Sequence, residues 1–378
     1  MVHASNVRNV SVVCVTIFIL CVGRESYGWQ EGEKKRENNN TAAFGTPPLI
    51  RLIRDPFTQT DLKLTTAQAK SIAALLEKVD APLWRLRDYP IDKVTAKAKP
   101  LVTSFELGLE KILDIPQSTR LKQIVRQVHS WRGIVEPEMA SELSLTAEQQ
   151  KKLKLIFEES TQHQAVLQEG LKKANGKPTD ALQQSLRQSQ EQEREQVAKV
   201  LDSSQQKKLV ELIGPNFDFG KLSHLWTKAP EFASTTEWRQ SKPLKISEQR
   251  GKVVIVHFFA FGCINCVHNY PWYREWEEKY PRSEVTIVGI HTPETTEEQS
   301  ITTLERKLKQ NKLGFPVAVD NDKANWDAWG NTMWPSVYIV DKEGFVRTWW
   351  YGELDWQGAG GQKIMEQKID ALLKETPR

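Results

Sequence analysis

Residues 252–266 read Lys-Val-Val-Ile-Val-His-Phe-Phe-Ala-Phe-Gly-Cys-Ile-Asn-Cys, an apolar run that ends in two cysteines. The run from Lys252 to Ala260 is rich in β-branched and aromatic residues, which predicts a strand buried on both faces. A helical pattern follows the cysteines as far as Lys279. This order places Cys263 at the start of a helix, whose free N–H groups and partial positive charge favour a thiolate over a thiol. The stretch therefore predicts thiol–disulfide chemistry.

Length, charge and cysteine content limit the class of protein. With 378 residues the chain is long enough for two domains of roughly 100–200 residues each. A formal net charge of +4 is small for this length and indicates no nucleic-acid-binding surface. Two of the four cysteines, Cys14 and Cys21, lie in an N-terminal apolar segment. If that segment is removed, one close-spaced pair remains, which is expected to serve reactivity rather than a disulfide scaffold.

Residues 1–28 have the pattern of an export signal peptide. Arg8 precedes an apolar core from Val10 to Val22, which is short for a membrane span, and Ser26-Tyr-Gly28 resembles a cleavage site. We therefore expect a periplasmic or otherwise extracytoplasmic protein, attached to a membrane only if the signal is not cleaved. Residues 29–48, rich in Glu, Lys and Asn, are expected to form a disordered leader.

Residues 49–213 are helical by pattern and predict an all-α domain. A short phrase recurs within them, as Leu-Thr-Thr-Ala-Gln at 64–68, Leu-Thr-Ala-Glu-Gln at 145–149 and, in degenerate form, Leu-Asp-Ser-Ser-Gln at 201–205. In each copy a capping residue is followed three positions later by Gln, which is the capping box that begins a helix. The sequence thus predicts at least three capped helix starts in this domain.

The second phrase opens a long helix to about Ala174, and a Gln-rich helix follows from Thr179 to about Val200. The break at Asn175-Gly-Lys-Pro178 predicts an antiparallel helical hairpin. The phrase resembles the Leu-Thr-x-x-Gln motif of periplasmic helical proteins of the Spy/CpxP type. That resemblance implies a chaperone-like or partner-binding module, and plain capped helix starts are the alternative.

Residues 214–230 are interpreted as a connector, and residues 231–378 alternate strand and helix as an α/β domain does. After the cysteine helix we expect a strand at 285–291, a helix at 296–312, a short strand at 316–319, a short helix at 323–329, a hairpin that pairs 336–340 with 345–351, and a last helix at 361–374.

This order of elements, with Cys-x-x-Cys and the dipeptide Trp334-Pro335, resembles the thioredoxin fold. The resemblance is to the TlpA-like branch, and within it to the thioredoxin-like domain of DipZ-type proteins. It implies an α/β thioredoxin fold, a central mixed sheet flanked by helices, preceded by the all-α domain and acting without a cofactor. The matching stretches are Phe261-Gly-Cys-Ile-Asn-Cys-Val267, Gly289-Ile-His-Thr-Pro-Glu294, Phe315-Pro-Val-Ala-Val-Asp-Asn-Asp322 and Trp334-Pro-Ser-Val-Tyr-Ile-Val-Asp341.

The same resemblance implies roles for individual residues. Cys263 would be the nucleophile and Cys266 the resolving thiol, so that the two form the redox-active disulfide. Pro335 matches the cis-proline of the fold, and Trp334 beside it would contact an extended substrate. His257 stands where the family generally has a buried acid that relays the proton of the resolving thiol. A neutral imidazole can accept that proton, and a histidine that is hydrogen-bonded within the core is the alternative.

The chain departs from the family at the active-site motif. Gly262 replaces the usual aromatic residue before the first cysteine, and Ile264-Asn265 separates the cysteines, so no reduction potential is carried over. The expected partners are disulfide- or thiol-bearing proteins and a membrane thiol-redox donor or acceptor. The direction of electron flow stays open.

Other functions of the cysteine pair are weighed against dithiol exchange. A closed zinc site needs two more ligands, and His257, His268 and His291 continue no zinc spacing, so no metal is expected. A c-type haem needs histidine directly after the second cysteine, where Val267 stands. A thiol peroxidase on the same fold normally has one peroxidatic cysteine and a more distant partner.

Two further interpretations concern other parts of the chain. In a non-enzymatic protein the helical domain would dock a partner and the redox domain would act as a sensor. The tryptophans of the C-terminal part form either core packing or an apolar surface around the active site. They are Trp326, Trp329, Trp334, Trp349, Trp350 and Trp356.

Overall fold

The computed structural model describes residues 47–173, 180–234 and 236–376. They form two compact units, a helical unit with residues 55–65 and 113–222, and a second unit with residues 47–54, 66–112 and 223–376. The predicted helical domain, 49–213, thus contributes to both units. The predicted signal peptide and most of the leader lie outside the described residues.

The described residues contain thirteen α-helices and six strands. The helices are α1 Pro48–Arg54, α2 Pro56–Asp61, α3 Thr66–Trp84, α4 Ile91–Glu110, α5 Ile115–Val128, α6 Pro137–Glu142, α7 Ala147–Lys173, α8 Asp180–Val200, α9 Ser203–Ile213, α10 Ile264–Lys279, α11 Ile301–Gln310, α12 Ala324–Trp329 and α13 Gly361–Lys374. The strands are β1 Glu237–Arg239, β2 Val253–Phe259, β3 Val285–His291, β4 Val317–Val319, β5 Ser336–Val340 and β6 Val346–Tyr351.

The helical unit contains the expected antiparallel pair, α7 and α8. The side chain of Gln149, near the start of α7, donates a hydrogen bond of 3.0 Å to the carbonyl of Val200, at the end of α8. The two helices share an apolar core that includes Leu153 and Val197. The capping boxes at Thr146 and Asp202 are both present. The capped helix starts at Thr146 and Asp202 and the pairing are confirmed, α3 begins at Thr66 within the first phrase, and the break at residues 175–178 lies outside the described residues.

A six-stranded mixed sheet with the order β1-β4-β3-β2-β5-β6 forms the centre of the second unit. β2 runs parallel to β3, and β3 to β4, whereas β5 pairs antiparallel with β2 and β6 with β5. All of β2 is buried, as its apolar sequence predicts. The sheet and its flanking helices confirm the predicted thioredoxin fold.

The two faces of the sheet are covered by different sets of helices. Ile255 and its neighbours on one face pack in a core with α10, α11 and α13. Val256 and its neighbours on the other face pack in a core that contains Trp84, at the end of α3, and Trp329, at the end of α12. The indole N–H of Trp84 donates a hydrogen bond of 2.7 Å to the carbonyl of Trp329. A helix from the predicted all-α domain therefore completes the core behind the sheet.

Arg87 follows Trp84 and extends this attachment. Its guanidinium donates hydrogen bonds to the carbonyls of Trp329 (2.9 Å) and Gly330 (2.8 Å) and to the hydroxyl of Tyr338 (2.9 Å). The side chain is fully buried, and it also lies over the ring of Trp84 at 4.4 Å. Residues 66–112 are therefore a structural part of the α/β unit.

Two details differ from the expected elements. β1, with Trp238 at its centre, adds to the edge of the sheet beside β4, and its three residues are too short for a periodic signal. The helix expected at 296–312 is divided at Ser300 into a 3₁₀ turn, Thr296–Gln299, and α11. Among the described residues, no helix is long and apolar enough to cross a membrane.

Candidate active site

The two cysteines lie at the carboxyl end of β2, where the strand turns into α10. Cys263 is the N-cap of α10, and its sulfur accepts the backbone N–H of Cys266 at 3.3 Å. The Cys266 thiol donates to Cys263 Sγ, with the two sulfurs 2.7 Å apart. Cys263 is half-buried and Cys266 is buried. The structure thus brings both predicted cysteines together, with the N-terminal one accessible.

Their surroundings move the two thiol pKa values in opposite directions. The hydrogen bond from the Cys266 thiol, aided by the Cys266 backbone N–H, lowers the pKa of Cys263, while partial burial and the Glu294 carboxylate oppose this shift. Burial raises the pKa of Cys266 well above its ordinary value. Because the thiolate is the nucleophile, the pair is arranged so that Cys263 reacts first and Cys266 stays protonated.

The loop before β5 reaches the same edge of the sheet. The Trp334–Pro335 peptide bond is cis, and the next residue, Ser336, pairs with Phe258 near the end of β2. The indole N–H of Trp334 donates a hydrogen bond of 2.9 Å to the carbonyl of Thr292. Two predicted site residues therefore lie at the end of the sheet that carries the cysteines.

His257 lies deeper on β2, on the face that α10 covers. Its ring stacks on Tyr273 at 4.0 Å and meets the edge of Phe315 at 4.9 Å. Within the described residues neither ring nitrogen has a hydrogen-bond partner, and burial lowers the pKa of His257 to about 3. The imidazole is therefore neutral at ordinary pH.

Sequence reasoning missed a buried carboxylate behind the nucleophile. Glu298 Oε1 accepts the backbone N–H of Gly262 at 2.7 Å, and its Oε2 accepts those of Glu294 at 2.6 Å and Thr295 at 3.2 Å. Thr295 with Glu298 three positions later is itself a capping-box pattern, which would have marked the glutamate but not its contact with Gly262.

A second buried carboxylate, Asp320, supports the tryptophan of the cis-proline loop. It accepts the hydroxyl of Thr292 at 2.7 Å and the backbone N–H of Trp326 at 3.0 Å. Trp326 in turn packs on Trp334, with ring centroids 3.9 Å apart. Thr292 thus connects the end of β3 to Trp334 directly and to Trp326 through Asp320. Thr292, Asp320 and Trp334 lie in three of the sequence stretches that carried the family resemblance.

The tryptophans of the C-terminal part serve mainly as packing. Trp326, Trp329 and Trp350 are buried, whereas Trp356 is about half exposed. In the described ranges, no group of three or more His, Cys, Asp or Glu side chains is placed to hold a metal ion. The exposed His268 lies 3.1 Å from a carboxylate oxygen of Glu353 instead.

Comparison with known proteins agrees with this geometry. Residues 226–349 match the model of the AhpC/TSA family. Protein DipZ of Mycobacterium tuberculosis is 34% identical over 151 residues, which are 39% of this chain and 21% of DipZ. Thiol-disulfide oxidoreductase YkuV of Bacillus subtilis is 24% identical over 147 residues, which are 39% of this chain and 95% of YkuV. The solved structure of a thiol-disulfide isomerase from Corynebacterium glutamicum is 25% identical, with a TM-score of 0.33, over 37% of this chain and 92% of that one.

The chain spans about a fifth of the length of the DipZ proteins that it matches. The matched part holds both cysteines, the cis-proline loop and all six strands except the last two residues of β6. Residues 226–349 therefore match the AhpC/TSA family model and have the thioredoxin fold.

Proposed function

We propose that the unit around the Cys263–Cys266 pair is a thiol–disulfide oxidoreductase that acts on protein substrates. The observation that supports this most is the arrangement of the two sulfurs, 2.7 Å apart, with Cys263 at the helix N-cap and Cys266 buried behind it. A nucleophile with a lowered pKa and a protonated resolving partner is what dithiol exchange requires.

In the reducing direction, the Cys263 thiolate attacks one sulfur of a substrate disulfide. A mixed disulfide forms, and the other substrate sulfur leaves as a thiolate and takes up a proton. Cys266 then loses its proton and attacks Cys263 Sγ, which releases the second substrate thiol. The substrate gains two electrons and the protein ends with the Cys263–Cys266 disulfide. The oxidising direction is the reverse.

Two neighbouring residues are proposed to assist this exchange. His257, stacked on Tyr273, is the proposed relay for the proton of Cys266, and its pKa of about 3 requires the ring to become more basic when it acts. Trp334, half-buried at the same end of the sheet, would contact the substrate chain with the part of its ring that Trp326 leaves uncovered.

Trapping of the mixed disulfide tests the function. Cys266→Ser should accumulate a covalent complex with disulfide-bonded insulin. The complex should run as a separate band on a non-reducing gel and should be lost when dithiothreitol reduces the mixed disulfide. Cys263→Ser is the matched control and should form none. If neither variant forms a complex and the wild type rapidly consumes hydrogen peroxide, the result would favour the peroxidase alternative.

The setting of the activity is also a proposal. We propose that residues 1–28 direct export, that 29–48 form a leader, and that a membrane thiol-redox protein exchanges electrons with the pair. Mass spectrometry of the protein recovered from an extracytoplasmic fraction should show a mature N-terminus after Gly28. Recovery of the full-length chain in the membrane fraction would instead indicate an anchored protein.

A further inference from the structure

The carboxylate of Glu298 lies between two loops, the one that precedes Cys263 and the one that follows β3. One oxygen binds the N–H of Gly262, the residue directly before Cys263, and the other binds the N–H groups of Glu294 and Thr295 after β3. The residue is only 6% exposed. A buried carboxylate that accepts several amide hydrogen bonds fixes the peptide groups that donate them, because leaving those donors unpaired is costly.

Gly262 is required by this contact. A Cβ atom added at this position would lie 2.3 Å from Glu298 Oε1, closer than atoms can approach, and 3.3 Å from Cδ, a tight contact. The carboxylate therefore occupies the space that a side chain before the cysteine would need. Gly262, which replaces the aromatic residue usual at this position, thus contacts the carboxylate of Glu298 directly.

The position of Gly262 sets that of Cys263, because the two share a peptide bond and Cys263 caps α10. The contact between Cys263 Sγ and the Cys266 N–H, at 3.3 Å, depends on where the backbone of Cys263 lies at the N-cap. We propose that Glu298 is a positioning residue, which holds the Gly262–Cys263 peptide so that the Cys263 thiolate stays aligned with the N-terminus of α10.

The loop held by the other oxygen contributes to the same edge of the site. It begins at Thr292, whose carbonyl accepts the indole N–H of Trp334. A single carboxylate therefore links the segment before the nucleophile to the segment that supports the cis-proline loop. No other described side chain hydrogen-bonds to the backbone N–H of Gly262.

The test measures the alkylation rate of Cys263 by iodoacetamide against pH, in the full-length reduced protein, with mass spectrometry to identify the labelled cysteine. Glu298→Gln should move the midpoint of the profile upward and lower the rate at pH 7 about threefold, since half a pH unit changes the thiolate fraction by roughly that factor. Glu297→Gln, a neighbour on the surface of the same turn, is the matched control and should leave the profile unchanged.

The sign of the change separates positioning from charge. Loss of a nearby negative charge alone would favour the thiolate and move the midpoint downward. A downward shift, or a profile equal to that of the wild type in a variant with unchanged melting temperature, would overturn the proposal.

Gly262→Ala, measured alone, covers the case in which Glu298→Gln does not fold, and absence of an upward shift in it would contradict the proposal. A double-mutant cycle extends the test where Glu298→Ala folds. Gly262→Ala should reproduce the upward shift because its methyl group displaces the carboxylate, and it should add nothing in a Glu298→Ala background. Additive effects of the two changes would contradict the proposal. The inference concerns the nucleophile of the proposed function, yet alkylation needs no disulfide substrate. If mixed-disulfide trapping fails while Glu298→Gln still moves the alkylation midpoint upward, the result would therefore count against the proposed function and not against the role of Glu298.

Discussion

The guanidinium of Arg87 donates a hydrogen bond of 2.9 Å to the hydroxyl of Tyr338, across 251 positions of the chain. Tyr338 lies in the middle of β5, next to the central strand, so a residue from the N-terminal half is anchored in the core of the redox unit. The helix α3, which directly precedes Arg87, is consequently part of the fold that carries the cysteines.

Removal of Arg87 is expected to destabilise this unit. Arg87→Met keeps much of the side-chain volume but leaves the carbonyl of Gly330 and the hydroxyl of Tyr338 without this donor, at a cost of about 2–4 kcal/mol in unfolding free energy. Urea denaturation followed by tryptophan fluorescence measures the change. Arg85→Met, at an exposed position two residues earlier, is the control and should change the free energy by less than about 0.5 kcal/mol. Equal stability of the two variants would show that the Arg87 contacts contribute nothing.

The Cys266 thiol is expected to control the reactivity of Cys263. Because its hydrogen bond is the main cause of the lowered pKa of Cys263, Cys266→Ala should reduce the thiolate fraction at pH 7 about threefold to tenfold. Cys266→Ser keeps a donor at the same place and should retain most of the effect. The alkylation rate of Cys263 against pH, compared between these two variants, checks this. Identical midpoints for both variants would show that the hydrogen bond from Cys266 does not lower the pKa of Cys263.

His257 is expected to make the protein sensitive to acid. Its pKa is lowered from 6.5 to about 3 in the folded state, so the unfolded chain takes up a proton first as the pH falls. The stabilising contribution is therefore complete above pH 6.5 and is lost progressively down to about pH 3, at about 1.4 kcal/mol per pH unit. His291, whose pKa is lowered to about 4 by burial, adds a slope of the same sign.

His257→Leu should therefore flatten the fall of the unfolding free energy between pH 6 and pH 4. Urea titrations at several pH values measure this slope, with His268→Leu, at an exposed position, as the control. Slopes that are the same in the His257 variant and the wild type would show that the buried imidazole does not bind its proton at the expected pH. A slower resolution step at neutral pH in His257→Leu would in addition support its proposed role as proton acceptor.

Much of the α/β unit follows from local patterns in the sequence. β2 is a long apolar run, α10 begins directly after Cys263, and the hairpin of β5 and β6 surrounds a turn at Asp341-Lys-Glu-Gly344. Each is recognised from residues that are close together in the chain. The positions of both cysteines were predicted for the same reason, whereas the cis bond before Pro335 was implied by the family resemblance.

The contacts that the sequence did not reveal join distant segments. Nothing near Trp84 or Arg87 distinguishes α3 from the helices of the helical unit, so the prediction placed it in a separate all-α domain. The contact between Gly262 and Glu298 spans 36 positions and depends on how the loop after β3 folds back. Gly262 could be recognised as unusual from the sequence, but the sequence did not reveal that Glu298 occupies the space that a side chain at position 262 would need.

The central claim is that Cys263 and Cys266 act as one dithiol–disulfide couple. It is tested most directly by equilibrating the purified protein in glutathione buffers of graded ratio and measuring the oxidised fraction by acid quench and mass spectrometry. A single two-electron transition is expected, with loss of two hydrogen masses and an intramolecular Cys263–Cys266 disulfide. Persistence of two free thiols, or formation only of mixed disulfides with glutathione, at every ratio would contradict it.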